Sequence, residues 1–240
     1  EYRLDGAIAR RVEICDATII GPHTTAIINR SDRSIRGYSV DFTPLGMSLL
    51  FQTPQSELVD RGVAASAILS ASRVDELLNR VHGSAHPYQG FRELNDCFAR
   101  LAAQLGDPQQ TSYALVRRAL ELTAQQQCMG LSSQTTVSRL SEETGRTSRQ
   151  LNRTFHQVLG MAPKQYLLIS RISRAMGLIA SHPTVDLSRI ACETGFYDYA
   201  HFSRAFKRAT LVSPREFRSS TMHEEYAVVA SDPQELTLPI

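Results

Sequence analysis

The chain has 240 residues, a hydrophobic share of 42% and a formal net charge of +2, which is enough for one or two cored domains, with two expected. No apolar run reaches about eighteen residues and no signal peptide is present, so a membrane span is excluded and a soluble, cytoplasmic protein is expected. The charge is unevenly placed: residues 131–222 carry 13 Lys and Arg against 6 Asp and Glu, residues 1–130 carry 13 against 14, and residues 223–240 carry none against 4.

The near-neutral total therefore hides a basic module, the footprint expected of phosphate contact, followed by an acidic tail. Only Lys164 and Lys207 of the 26 basic residues are lysine. Arginine's planar fork suits phosphate and guanine, although a GC-rich coding sequence accounts for the preference equally well. The chain opens at Glu1 directly in structured-looking sequence, so further residues are expected upstream.

Residues 1–70 are rich in Ile, Val, Thr and Phe and are broken at Gly21-Pro22, Gly37, Thr43-Pro44-Leu45-Gly46 and Thr53-Pro54. Between the breaks, Ala26–Ile28, Tyr38–Phe42 and Met47–Phe51 are predicted to be short strands. The period then changes to that of helices. Val74, Leu77, Leu78 and Val81 form one apolar stripe, Leu94, Cys97, Phe98, Leu101 and Leu105 a second, and Leu115, Ala119 and Leu122 a third. Strands followed by helices predict an α+β amino-terminal domain over 1–125.

Two features of the chain suit metal or redox chemistry only superficially. His82 and His86 stand at i and i+4, but Gly83 and Pro87 make the span a surface loop. Cys15, Cys97, Cys128 and Cys192 form no CxxC pair, and the last three fall at apolar helical positions, so reduced core cysteines are expected. No phosphate-binding glycine loop, nucleophile elbow or HExxH is present. The expectation is no catalytic residue, no metal and no cofactor.

The last hundred residues hold a pattern that occurs twice. One copy reads Leu140, Gly145, Leu151, Arg153, Phe155, Gly160, Pro163, Tyr166; the other reads Ile190, Gly195, Phe202, Arg204, Phe206, Leu211, Pro214, Phe217. Such self-similarity means that one supersecondary unit is used twice. In each copy a short amphipathic helix (Val137, Leu140; Leu187, Ile190, Ala191) runs into a glycine turn, and a capping residue opens a second helix. Thr147 with Gln150 makes a capping box, and Asp198 accepts the orphan amides of the other copy. This predicts two helix-turn-helix units, a form that presents its second helix to the DNA major groove.

Leu151, Phe155, Phe202 and Phe206 are the predicted anchors. The predicted outward residues are Arg149, Gln150, Asn152 and Arg153 in one second helix, and Tyr197, Tyr199, Ala200, Ser203, Arg204, Lys207 and Arg208 in the other. Between the copies Pro163 opens a spacer helix through Tyr166, Leu167, Ile169, Ile172, Met176 and Ile179, which His182-Pro183 stops. At 1.5 Å per residue it spans about 27 Å, so with its flanking units one chain reaches two adjacent turns of DNA, about 34 Å apart.

The stretch Ile190-Ala191, Gly195-Phe196, His201-Phe202-Ser203-Arg204-Ala205-Phe206-Lys207 and Ser213-Pro214-Arg215-Glu216-Phe217-Arg218 resembles the DNA-binding domain of the AraC/XylS family of bacterial transcription regulators. The resemblance runs from about Ser132 to Arg218. Two departures are visible: Leu211 stands where the family usually has glycine, which is expected to end the helix differently, and Ser141 stands where alanine usually follows the leucine. Base contact is implied at Arg149, Asn152, Arg153, Tyr199, Ala200, Ser203 and Arg204, and phosphate contact is expected at Gln150, Lys207, Arg208 and Arg215. The chemistry agrees in part, because arginine pairs with guanine, asparagine with adenine, and alanine meets the thymine methyl.

The expected organisation is a sensing or dimerisation domain (1–125), for which the resemblance implies a cupin-like barrel, a tandem helix-turn-helix domain (131–222) and an acidic tail (223–240). The expected function is a sequence-specific DNA-binding transcription regulator, an activator. Its expected partners are double-stranded promoter DNA and RNA polymerase, with a small-molecule effector or a homodimer through the amino-terminal half and no membrane. The alternative is a protein-interaction module with secondary DNA binding.

Overall fold

A computed structural model describes residues 2–4, 7–9, 16–25, 37–105, 111–128 and 136–219. In chain order the elements are β1 (Tyr2–Leu4), β2 (Ala7–Ala9), β3 (Thr18–Ile20), α1 (Pro44–Phe51), α2 (Gln55–Leu58), β4 (Gly62–Ala64), α3 (Ala71–His82), α4 (Pro87–Ala103) and α5 (Thr111–Cys128). They continue with α6 (Val137–Thr144), α7 (Ser148–Leu159), α8 (Pro163–Ser181), α9 (Leu187–Glu193), α10 (Tyr199–Thr210) and α11 (Pro214–Ser219). β1 pairs antiparallel with β2, and β3 with β4 in the register Ile19 to Val63. The described residues are thus mainly helical, with two small two-stranded sheets.

Two of the three expected strands are not strands. Met47–Phe51 lies inside α1. A short apolar run does not by itself distinguish helix from strand; the residues before it decide. Thr43 caps the helix, its hydroxyl accepting from the Gly46 amide at 3.0 Å, and Pro44 occupies the first helical position, where its missing N–H costs nothing. Tyr38–Phe42 has no strand partner among the described residues. Its rings pack on helices instead: Tyr38 edge-on to Phe91 at 4.9 Å, and Phe42 against Phe51 at 5.3 Å and Phe98 at 5.0 Å. Ala26–Ile28 lies outside the described residues.

The His82–His86 span is broken as expected. α3 ends at His82, and His86 caps α4, its Nδ1 accepting from the Tyr88 amide at 3.2 Å. The cysteine reading needs correction: Cys192 is exposed and Cys97 half-buried, both free thiols. The buried side of α9 is Leu187, Ile190, Ala191 and the following Thr194, and residue 192 lies about 100° around the helix from its neighbour, which turns it outward. The side chains of Cys15 and Cys128 lie outside the described residues.

Three cores organise the described residues. The first gathers Ile19, Met47, Phe51, Leu58, Ala65 and Val74. The second joins Leu45 of α1 and Val116, Ala119, Leu120 and Leu122 of α5 to Leu140, Leu151, Phe155, Val158 and Leu159 of α6 and α7. The third holds Ile190, Phe196, Phe202, Phe206 and Phe217 with Ile172, Ala175, Met176 and Ile179 of α8. α1 is apolar all round because it is shared: Leu45 and Leu49 face the second core, Met47, Leu50 and Phe51 the first. α8 is shared likewise, Leu167 and Ile169 serving the second core and its carboxyl-terminal half the third.

Candidate nucleic-acid interface

The two helix pairs α6–α7 and α9–α10 are built by local rules that the residues satisfy one by one. α6 ends at Gly145, whose φ of +62 is the left-handed conformation that glycine adopts most cheaply. α7 then opens on a reciprocal capping box. The Thr147 hydroxyl accepts from the Gln150 amide at 3.3 Å, and the Gln150 side-chain oxygen accepts from the Thr147 amide at 3.0 Å. In the second pair the Asp198 carboxylate accepts from the His201 amide at 2.6 Å.

Burial then sorts the residues of α7. Leu151, Phe155, Val158 and Leu159 are buried, whereas Arg149, Gln150, Asn152, Arg153 and His156 are exposed. Arg149, Asn152, Arg153 and His156 recur at helical spacing and so form one outward stripe. His156 was not foreseen, and its place on that stripe was the signal that could have found it. Gln150 sits at the helix start with its oxygen committed to the cap, leaving its amide NH2 outward-facing chemistry.

α10 repeats the arrangement with differences. Phe202, Ala205, Phe206 and Ala209 are buried; Ala200, Arg204, Lys207 and Arg208 are exposed; Ser203 is half-buried. Tyr199, expected to face outward, is half-buried, its ring 6.1 Å from that of Phe202 and packed against the third core. The tyrosine two places earlier is the open one: Tyr197 is 93% exposed. A crevice of about 450 Å³ beside the start of α10 brings Tyr199 together with Ser188 of α9 and Arg215, Arg218 and Ser219 of α11.

Among the described residues, Arg149, Arg153, Arg204, Arg208 and Arg215 form no ion pair with a carboxylate; the ion pair within 136–219 is Arg189 with Glu193, at 2.8 Å. Their charge is available to a partner. Glu216, by contrast, is held below the usual carboxylate range by the Ser213 hydroxyl and then the Ser213 amide, in a second capping box that starts α11.

Three arginines missed by sequence reading hold the second pair in place. Arg171 of α8 donates to the Leu167 carbonyl at 3.3 Å and the Gly195 carbonyl at 3.2 Å, and its guanidinium stacks 5.0 Å from the Phe196 ring. Burial pulls its pKa below the usual guanidinium value. Arg174 donates to the Glu193 carbonyl at 3.1 Å, and Arg218 to the Val185 carbonyl at 2.6 Å. The first pair has no counterpart to this clamp: Arg171 stands 24 residues before Gly195, and the same offset from Gly145 gives Glu121, which is exposed and pairs with Arg118 at 3.8 Å. The repeat therefore breaks where the clamp sits.

α8 runs from Pro163 to Ser181 and is followed by His182 as its cap, as expected; its 19 residues make a rod of about 28 Å. The described residues contain no helix long and apolar enough to cross a membrane and no group of three or more candidate metal ligands.

Residues 140–220 match the helix-turn-helix domain family. Over 70 residues the chain is 41% identical to the HTH-type transcriptional activator RhaR of Cronobacter sakazakii, covering 29% of this chain and 24% of that protein. Over 79 residues it is 34% identical to the HTH-type transcriptional activator RhaS of Escherichia coli, covering 33% of this chain and 28% of the relative. The C-terminal domain of AraT, a response regulator from Geobacillus stearothermophilus, is 29% identical with a TM-score of 0.40, covering 43% of this chain and 83% of that one. The chain thus spans well under a third of the length of the curated relatives named.

Proposed function

We propose, from the premise that residues 140–220 are a helix-turn-helix domain of the AraC/XylS type, that this protein is a non-enzymatic, cytoplasmic, sequence-specific DNA-binding transcription regulator, an activator that engages RNA polymerase at promoter DNA. α7 and α10 enter adjacent major grooves. The observation that carries the reading is the stripe of exposed arginines on each that form no ion pair among the described residues, Arg149 and Arg153 on one and Arg204 and Arg208 on the other. Exposed guanidinium groups on a helix face have the geometry for bidentate pairing with guanine and for phosphate.

In this reading Arg149, Asn152 and Arg153 read bases on one half-site, and Ala200, Ser203 and Arg204 on the other. The Tyr199 hydroxyl reaches DNA from the crevice edge rather than from the open face. The Gln150 amide, Lys207, Arg208 and Arg215 hold phosphates. The amino-terminal half senses a small molecule or pairs with a second copy, and the exposed Tyr88 and Phe91 on α4 favour such a partner-facing surface.

Selection of random duplex DNA by the full chain tests this, followed by affinity measurement at rising salt. A defined site should emerge. Its affinity should fall by roughly 10³ or more between about 50 and 200 mM salt for six phosphate contacts, because bound counterions are released. Recovery of unrelated sequences with a flat salt dependence contradicts the proposal.

A further inference from the structure

The first helix pair has a neighbour that the second lacks. α7 packs against α1 and α2 as well as α5, and its buried residues share a core with Leu45. The closest approach is at the end of α7, where Gly160 caps the helix at φ +72. A Cβ there would lie 2.6 Å from the backbone carbon and oxygen of Gln55 and 2.7 Å from Cγ2 of Val59. Backbone atoms give way far less easily than the tip of a side chain, because an anchored, close-packed segment must move with them.

The matching position in the second pair shows what the conformation alone requires. Leu211 caps α10 at φ +68, with its side chain buried. In this fold the left-handed cap therefore accepts a large residue where the surrounding packing leaves room for it, and the approach of α2 is what closes position 160 to any side chain. Gln55 is fully buried; its Nε2 donates to the Thr53 carbonyl at 2.9 Å and its Oε1 has no hydrogen-bond partner among the described residues. Its side chain serves the shape of its own turn, and α2 is seated on α7 by close packing.

We propose that the α1–α2 segment is a positioning element for α7, so that the state of the amino-terminal half reaches the first half of the DNA site, through the seat of Gln55 and Val59 on Gly160, and does not reach the second half. The route is continuous: α1 belongs to the amino-terminal core through Met47 and Phe51 and to the core of the first pair through Leu45 and Leu49. A change that shifts the amino-terminal core carries α1 with it, and α7 packs directly on α1 and α2. The half-site consequence rests on the DNA-facing role proposed above for α7.

The test uses the full chain, hydrogen exchange read by mass spectrometry, and footprints resolved by half-site on the selected duplex. Gly160→Ala should speed exchange over residues 45–59 and weaken protection of the half-site read by α7 by about threefold to thirtyfold, with α9, α10 and the other half-site unchanged. Leu49→Ala trims the contact from the amino-terminal side without altering α7, and should give the same pattern at smaller size; it stands alone if Gly160→Ala does not fold. Unchanged exchange over 45–59 in a folded Gly160→Ala protein, or equal loss at both half-sites in Leu49→Ala, overturns the proposal. If the wild-type chain protects no duplex, the DNA reading fails separately and exchange still decides the coupling: in Leu49→Ala it must rise in α7 and stay constant in α10, and a rise confined to α1 overturns it.

Discussion

α7 and α10 carry equivalent caps, equivalent buried anchors and equivalent stripes of exposed polar residues, but they are held by different parts of the chain. α7 rests on α1, α2 and α5, sharing a core with residues far away in sequence. α10 rests on α8 and α11, and the turn before it is tied down by Arg171 and Arg174 from the helix that links the pairs. Duplicating a unit thus does not duplicate its support. The second pair is a self-contained body with the carboxyl-terminal half of α8, whereas the first is completed by the amino-terminal half and is answerable to it.

The largest expected effect breaks the link between the two bodies. Ile172 is fully buried in α8, and Ile172→Pro removes a backbone hydrogen bond, crowds the preceding turn and empties core volume, costing about 3 kcal/mol or more. The third core should unravel while the first pair, supported elsewhere, survives; circular dichroism with exchange over α9 and α10 against α6 and α7 checks this. Next comes Arg171→Ala, which leaves the Gly195 carbonyl without its charged donor and the Phe196 ring without its cation. A loss of about 1–3 kcal/mol is expected, read by thermal unfolding and by weaker protection of the second half-site alone.

The starts of α7, α8 and α10 and the end of α8 were legible because local chemistry settles them: Thr147 and Gln150, Asp198, Pro163 and the His182-Pro183 stop act within a turn of their own positions. The supports were not legible. Arg171 meets Gly195 only once the helices have packed, and nothing in the spacing of Gln55 indicates that it lies under Gly160. In the amino-terminal half, the apolar run around Met47 suited strand and helix alike until the Thr43 cap and Pro44 were weighed, whereas Tyr38–Phe42 is held by ring contacts with Phe51, Phe91 and Phe98 that no local pattern shows. The expectation that Leu211 would end its helix differently also fails: α10 closes on the same left-handed cap as α7, because the buried leucine side chain offsets the conformational cost.

That offset gives a third prediction. Leu211→Gly relieves a strain of about 1–2 kcal/mol but removes a buried side chain worth about 1.5–3 kcal/mol before any cavity cost. Net destabilisation of about 1 kcal/mol is expected in chemical unfolding, and stabilisation would mean that strain outweighs burial there. The smallest effect concerns pH. Burial lowers the pKa of His23, against the opposing charge of Asp60, 3.9 Å away. The folded amino-terminal half therefore disfavours the imidazolium that the unfolded chain accepts. Its contribution is fully present above the ordinary imidazole value and is lost as pH falls below it. Exchange over residues 16–25 should rise on acidification through that range before α9 and α10 respond, and His23→Gln should remove the step.

The most direct test of the central claim, two reading helices on one chain, is a half-site-resolved footprint of Arg153→Ala beside Arg204→Ala on the selected duplex. Each substitution should cost about 1–3 kcal/mol and relax base preference in one half only, the two affected halves lying about one helical turn apart. If both variants lose the same half, or both lose all protection equally while folded, the account of two helices in adjacent grooves is contradicted.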